Sequence, residues 1–193
     1  MSNWIQTGLP LSGSKKAILL FHGRGATAES MLSIASNLDL SDFSIFAPQA
    51  AQRTWYPYGF MASDEGNLSS LNSSLQQVSL LFQFLIENGK APEQIYVMGF
   101  SQGACLSLEF AARNAQKLGG VVAFTGGLIG EKLEKKNITE IFREHLFSSA
   151  VVHMTCMCLP NEFMILPSFF RKWVRRLALL FLKTSSIPSV LKN

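Results

Sequence analysis

The chain has 193 residues, of which 48% are hydrophobic and 16% charged, and its formal net charge is +4. This length and composition predict one globular domain, and three cysteines, an odd number, indicate no disulfide framework. The first residues lack a charged segment followed by an apolar one, so we expect no signal peptide and a cytoplasmic location.

The first motif follows an apolar strand predicted over residues 17–21. It reads His22-Gly23-Arg24-Gly25 and leads into a helix predicted over residues 27–38. A glycine-rich turn at the C-terminal end of a strand can direct backbone N–H groups at a developing oxyanion. We therefore expect the N–H of Arg24 to be one oxyanion donor.

The middle of the chain alternates between loop and helix patterns. Residues 52–68 are aromatic and then polar, and are predicted to form a loop. A helix predicted over residues 71–88 ends at Gly89 and Pro92. Its apolar stripe is expected to pack in the core and consists of Leu71, Leu75, Val78, Leu81, Phe82 and Leu85. Alternating strands and helices indicate a mostly parallel α/β sheet with helices on both faces.

The second motif is Gly99-Phe100-Ser101-Gln102-Gly103, between a strand predicted over residues 95–98 and a helix predicted over residues 104–115. A G-x-S-x-G sequence in this context predicts a nucleophile elbow, a turn so sharp that the serine adopts a strained backbone and exposes its hydroxyl. Side chains at Gly99 and Gly103 would collide with the neighbouring strand and helix. Ser101 is the predicted nucleophile, and the N–H of Gln102 is the second predicted oxyanion donor.

These motifs resemble the phospholipase/carboxylesterase family of α/β-hydrolases, which includes the acyl-protein thioesterases. The resemblance covers about residues 15–131 and implies the α/β-hydrolase fold and a serine esterase or thioesterase without a cofactor or metal. It also implies that Trp55, Tyr56 and Phe60 lie near the acyl group of the substrate, although core packing is an equal alternative for the first two. The matching segments are residues 22–25, 47–50, 55–57, 99–104 and 124–127.

The base and the acid of a catalytic triad are not visible. In α/β-hydrolases the order along the chain is Ser, then Asp or Glu, then His, so His22 is expected to orient its loop rather than act as the base. All three aspartates precede Ser101, and only His145 and His153 follow it. A displaced triad, in which one of them pairs with a glutamate between residues 131 and 144, remains an alternative supported only by their availability.

The composition changes near residue 140. Residues 1–140 hold ten Lys/Arg and eleven Asp/Glu, whereas residues 141–193 hold seven and two. We therefore divide the chain into a hydrolase core, residues 1–140, and an aberrant basic tail, residues 141–193. Cys156 and Cys158 belong to this tail and have no partner pair for a zinc site.

The genetic code offers an explanation of the tail. If the third base of each codon is joined to the first two of the next, Met154-Thr155 encodes aspartate and Met157-Cys158 encodes valine. The surrounding codons permit Asp-x-His-Val-Pro, which resembles the family's catalytic aspartate loop, and residues 186–189 permit His-Thr-Ile, which resembles its histidine segment. We interpret the tail as the product of a reading-frame shift between residues 131 and 141.

The sequence therefore predicts a serine hydrolase of small esters, lysophospholipids or acylated proteins, inactive as written because its triad aspartate and histidine are missing. The alternative is a non-catalytic protein that docks on anionic membranes through residues 169–183, which mix cations with apolar side chains. The apolar run at residues 177–182 is too short to span a bilayer. We expect no nucleic-acid partner.

Overall fold

The computed structural model describes residues 4–62, 64–114, 116–130 and 152–153. In this part of the chain three helices flank a six-stranded sheet with the strand order β1-β3-β2-β4-β5-β6. The strands are β1 (Trp4–Gly8), β2 (Lys16–Phe21), β3 (Phe43–Pro48), β4 (Ile95–Phe100), β5 (Gly120–Phe124) and β6 (Val152–His153). The helices are α1 (Ala28–Ala35), α2 (Asp64–Glu87) and α3 (Gln102–Arg113), with single 3-10 turns at Ala51–Arg53 and Pro92–Gln94.

The sheet is parallel except for β1, which pairs antiparallel with β3. In the register of β2 with β4, Phe21 lies opposite Gly99. The C-terminal ends of these two strands therefore meet at one edge of the sheet, where ligands bind in open α/β folds. The turn at residues 22–26 and Ser101 both follow at this edge, so the fold brings the two predicted motifs together.

Helices cover both faces of the sheet, as predicted. Side chains of a strand alternate between the two faces of a sheet. In β2 the side chains on both faces are buried. Leu19 and Phe21 pack in the cluster that contains α2 and α3, whereas Ile18 and Leu20 pack in the cluster that contains α1. Burial on both faces is why β2 is a continuous apolar run.

The predicted apolar stripe of α2 is confirmed, because all six of its side chains are buried in the core. The predicted loop over residues 52–68 is wrong at its end, since α2 begins at Asp64. The first turns of α2 are polar because they face the preceding loop and solvent. Asn67 is buried there, accepting a hydrogen bond from the Tyr58 N–H (2.9 Å) and donating one to the Gly59 carbonyl (2.9 Å).

Most of the predicted basic tail, including His145, Cys156, Cys158 and residues 169–183, lies outside the described residues. The predicted boundary at residue 140 lies outside them too and stays a prediction. The exception is β6, whose Val152 and His153 pair with Val122 and Ala123 of β5. No helix in the described ranges is long and apolar enough to cross a membrane.

Candidate active site

Ser101 connects β4 to α3 in a strained backbone conformation. Its φ of 52° and ψ of −115° lie outside the regions that a residue with a Cβ ordinarily adopts. Hydrogen bonds on both sides hold this conformation. The Ser101 N–H donates to the Phe124 carbonyl (2.8 Å), and the Ser101 carbonyl accepts from the N–H groups of Ala104 (3.0 Å) and Cys105 (3.2 Å). Strain of about 1–3 kcal/mol persists where the surrounding structure determines the backbone, and such sites are often functional.

The elbow glycines leave no room for a side chain. A Cβ on Gly99 would lie 2.6 Å from the Ala104 nitrogen, and one on Gly103 would lie 2.6 Å from the His22 carbonyl oxygen. Helix α3 therefore packs directly on the ends of β4 and β2. Gly23 lies beside this contact, where a Cβ would be 3.3 Å from the Phe100 ring and 3.6 Å, an ordinary contact distance, from the Ser101 Cβ. Gly25 has a φ of 75°, the left-handed region that favours glycine.

Two backbone N–H groups near Ser101 have no acceptor among the described residues. These are the N–H groups of Arg24 and Gln102, whereas the N–H groups of Gly25 and Ser101 are hydrogen-bonded. The Gly25 N–H donates to the Arg53 carbonyl (2.7 Å), for example. Gln102 is the first residue of α3, where N–H groups have no partner within the helix. This arrangement of free donors beside a serine can stabilise an oxyanion.

His22 is fully buried and orients the turn that follows β2. Its Nε2 accepts a hydrogen bond from the Ala50 N–H (3.1 Å), so Nδ1 carries the hydrogen that is donated to the Gly23 carbonyl (2.7 Å). Burial lowers the pKa of His22, which keeps the ring neutral. Both ring nitrogens are engaged, so His22 cannot take the serine proton, and the structure supports the orienting role.

Trp55 and Tyr56 are 1% and 2% exposed. The Trp55 indole N–H donates to the His22 carbonyl (2.8 Å), and the Arg24 guanidinium lies 5.8 Å from the centre of the Tyr56 ring. This burial fits the packing alternative, and contact of either side chain with substrate stays a prediction. Phe60 is half-buried, packs on the core and is the third predicted substrate residue.

The side chains of the two predicted oxyanion donors hold the same loop. The Arg24 guanidinium donates to the carbonyls of Pro57 and Tyr58. The Gln102 side chain binds the backbone of Trp55 and Tyr56. These side-chain roles of Arg24 and Gln102 were not predicted from the sequence, because no local pattern indicates a partner in a distant loop.

Cys105 is a second nucleophilic side chain near the elbow, but it is buried within α3. Burial raises the pKa of its thiol, and that thiol accepts a hydrogen bond from the Gly127 N–H (3.4 Å). Because the thiolate is the reactive form of cysteine, a raised pKa and burial make Cys105 inert. Ser101 is thus the better-placed nucleophile of the two.

The described residues do not supply the rest of a triad. Within them, no carboxylate or imidazole hydrogen-bonds the Ser101 hydroxyl, and no three His, Cys, Asp or Glu side chains are grouped as a metal site. Glu109 is buried further along α3, and it is engaged with Arg113 (2.8 Å) and with the Ile129 N–H (2.7 Å). His145 and the side chain of His153 lie outside the described residues.

Comparison with known proteins finds acyl-protein thioesterases among the relatives of this chain. Acyl-protein thioesterase 1 of Saccharomyces cerevisiae is 27% identical over an alignment 172 residues long, and the alignment covers 74% of this chain and 74% of the thioesterase. The Kluyveromyces lactis acyl-protein thioesterase 1 is 26% identical, with 78% and 72% covered.

A phospholipase/carboxylesterase crystal structure from Dyadobacter fermentans is 45% identical with a TM-score of 0.70, covering 72% of this chain and 66% of that one. The chain therefore spans slightly under two thirds of that protein. Arabidopsis thaliana SOBER1, at 18% identity and a TM-score of 0.60, shares the fold. The profile of the family described as Phospholipase/Carboxylesterase matches residues 9–167. This match covers most of the chain, which belongs to the phospholipase/carboxylesterase family of α/β-hydrolases.

Proposed function

We propose that this chain derives from a serine hydrolase of carboxylic esters or thioesters in which Ser101 is the nucleophile. The Ser101 oxygen attacks the acyl carbonyl, the alcohol or thiol leaves with a proton, and water hydrolyses the resulting acyl-enzyme. The observation that carries the proposal is the strained backbone of Ser101 between β4 and α3. Membership of an esterase family supports the same reaction class.

The N–H groups of Gln102 and Arg24 would stabilise the negative charge that develops on the carbonyl oxygen. Removing one such donor costs about 3–4 kcal/mol of transition-state stabilisation in comparable enzymes. Both donors are backbone groups on turns fixed by the packing of Gly23 and Gly103, so they need no rearrangement when the charge develops.

The proton transfer that activates Ser101 needs a histidine oriented by an aspartate. We propose that these two residues were encoded downstream of a frame shift between residues 131 and 141, and that the chain as written lacks both. Loss of the triad base and acid lowers turnover by several orders of magnitude, and only the weak residual activity due to the oxyanion donors remains. Adding one base between codons 131 and 141 gives what we call the frame-restored chain.

The substrate is proposed to be a small ester or an acylated molecule, with the acyl group beside Phe60, Trp55 and Tyr56. Among these, Phe60 has exposed surface, and its ring lies 3.3 Å from the position that a Cβ on Gly127 would occupy. Two of the relatives are acyl-protein thioesterases, which supports a thioester of a protein as one candidate.

Turnover of p-nitrophenyl butyrate and of a butyryl thioester tests this proposal. The chain as written and the frame-restored chain, each with and without Ser101→Ala, are compared at equal concentration. We expect both forms of the chain as written to be nearly inactive and the frame-restored chain to turn over at an enzymatic rate that Ser101→Ala abolishes. Full turnover by the chain as written would refute the proposed loss of the triad. Activity of the frame-restored chain that survives Ser101→Ala would refute the nucleophile.

The alternative function rests on the composition of residues 169–183, where five cations lie among apolar side chains. Such a segment can lie on an anionic membrane surface. Co-sedimentation with phosphatidylserine vesicles tests this alternative, with neutral phosphatidylcholine vesicles as the control. Binding to the anionic vesicles alone would favour it, and absence of binding to either would remove it.

A further inference from the structure

The Gln102 side chain is 5% exposed and forms a complete set of hydrogen bonds to one loop. Its Oε1 accepts from the Trp55 N–H (3.0 Å), and its Nε2 donates to the Tyr56 carbonyl (2.6 Å). The Thr54 hydroxyl lies 3.2 Å from both amide atoms. A buried primary amide is thus paired through its donor and its acceptor, an arrangement that neither a carboxylate nor an apolar side chain can reproduce.

The same loop is bonded to the other turn of the site. The Trp55 indole N–H donates to the carbonyl of His22, and the Arg24 guanidinium donates to the carbonyls of Pro57 and Tyr58. On its far side, the Trp55 carbonyl accepts a hydrogen bond from the Ser74 hydroxyl of α2 (2.6 Å). Residues 54–58, which we call the bridging loop, therefore connect the N-terminus of α3, the turn after β2 and helix α2.

We infer that Gln102 is a positioning residue whose side chain uses the bridging loop to fix the spacing of the two oxyanion donors. This inference rests on the proposed function. One donor is the N–H of Gln102 itself, and the other belongs to Arg24, whose guanidinium is anchored on the loop that Gln102 holds. An oxyanion hole is effective because its donors are fixed before the charge develops, so a loop that joins both turns determines how well they act together.

The Gln102→Met variant tests the inference because it keeps the length of the side chain and removes both hydrogen bonds. The Trp55 N–H and the Tyr56 carbonyl would lose buried partners, which is costly, and the bridging loop would open to water. The matched control is Gln94→Met. Gln94 is half-buried at the opposite end of β4, and its Oε1 accepts a backbone hydrogen bond from the Ala91 N–H (2.9 Å).

The readout is the nitrogen–hydrogen NMR spectrum of the full chain during a titration with butyrate, whose carboxylate mimics the oxyanion. In the unsubstituted chain we expect the amide resonances of Gln102 and Arg24 to move together, with one dissociation constant. In Gln102→Met we expect butyrate to bind about tenfold more weakly, since the two donors no longer converge. Hydrogen exchange of the Trp55 amide should also become about tenfold faster or more, because its acceptor is gone. Gln94→Met should change neither.

The Gln102→Glu variant adds a signature that a purely structural role would not give. A protonated carboxyl can accept from the Trp55 N–H and donate to the Tyr56 carbonyl, whereas the ionised form cannot donate. Butyrate affinity relative to the unsubstituted chain at the same pH should therefore recover as the introduced carboxyl becomes protonated. Burial at position 102 disfavours the ionised form of the introduced carboxyl. The affinity should therefore already recover at pH values above the ordinary pKa of glutamate.

The outcomes separate the two proposals. If butyrate moves neither amide in the unsubstituted chain, the proposed oxyanion site fails. If butyrate binds there and Gln102→Met binds it equally well despite faster exchange at Trp55, the site stands and the positioning role is overturned. If Gln102→Met does not fold, Gln102→Glu decides: recovery at lower pH supports the role, and an affinity independent of protonation overturns it.

Discussion

Replacing Gly103 with alanine places a methyl group between α3 and the end of β2. The Cβ would lie 2.5 Å from the Phe21 carbonyl carbon and 2.6 Å from the His22 carbonyl oxygen, where real Cβ contacts are essentially never found. The atoms on both sides belong to the backbone, so no flexible side chain can move away. The substitution must separate the first turn of α3 from the strand that carries the oxyanion turn.

The expected loss of stability follows from this geometry. Overpacking a well-packed core costs about 1–3 kcal/mol, and a clash with backbone on both sides belongs at the upper end. A loss of about 3 kcal/mol is a large part of the roughly 5–15 kcal/mol that stabilises an ordinary domain. For a chain of this size it corresponds to a fall in Tm of about 6–12 °C.

Urea denaturation followed by tryptophan fluorescence measures this loss, with Gly59→Ala as the matched control. A Cβ on Gly59 would meet no atom within 4 Å, so we expect a change of no more than about 0.5 kcal/mol there. If Gly103→Ala and Gly59→Ala unfold at the same urea concentration, α3 does not pack on the end of β2 as described, and the reasoning about the elbow is refuted.

Four further changes test separate parts of the structure. Ser101→Gly should raise the free energy of unfolding by about 1 kcal/mol in the same assay, because glycine relieves the strain at a φ of 52°, whereas Ser101→Ala should not. The pKa of His22 is lowered from 6.5 in the folded state, so the unfolded chain binds a proton at this site more readily than the folded one. The free energy of unfolding should therefore fall as the pH drops below 6.5. Urea titrations between about pH 7.5 and 5.5 should show this loss, and His22→Gln should remove it. Glu109→Gln should cost about 1–2 kcal/mol, because it breaks a largely buried pair with the one-third exposed Arg113. Asp42→Asn, which breaks an exposed pair with Lys15, should cost nothing measurable by urea denaturation.

The sequence was sufficient to predict those elements that depend on residues close together along the chain. The apolar runs that form β2 and β4 and the helical stripe of α2 are local patterns, and G-x-S-x-G between a strand and a helix predicts its own geometry. The antiparallel β1 was not predicted. Its residues Trp4–Gly8 are exposed or half-buried at the edge of the sheet and show no continuous apolar run.

What the sequence could not show are contacts between residues distant along the chain. Gln102 binds Tyr56, 46 positions away, and Arg24 binds Pro57, 33 positions away. Nothing local to either motif indicates these partners, because the partners are backbone carbonyls that any sequence would provide. For the same reason the burial of Trp55 and Tyr56 followed only from the folded structure.

Labelling with a fluorophosphonate, which phosphonylates activated serines, tests the central claim most directly. The chain as written and the frame-restored chain are treated in parallel, and the modified residue is identified by mass spectrometry of the peptide that contains β4 and α3. We predict rapid labelling of Ser101 in the frame-restored chain and labelling slower by several orders of magnitude in the chain as written, which lacks a base. Equal rates in the two chains, or modification of another residue in the frame-restored chain, would contradict the claim that Ser101 is a nucleophile that has lost its triad.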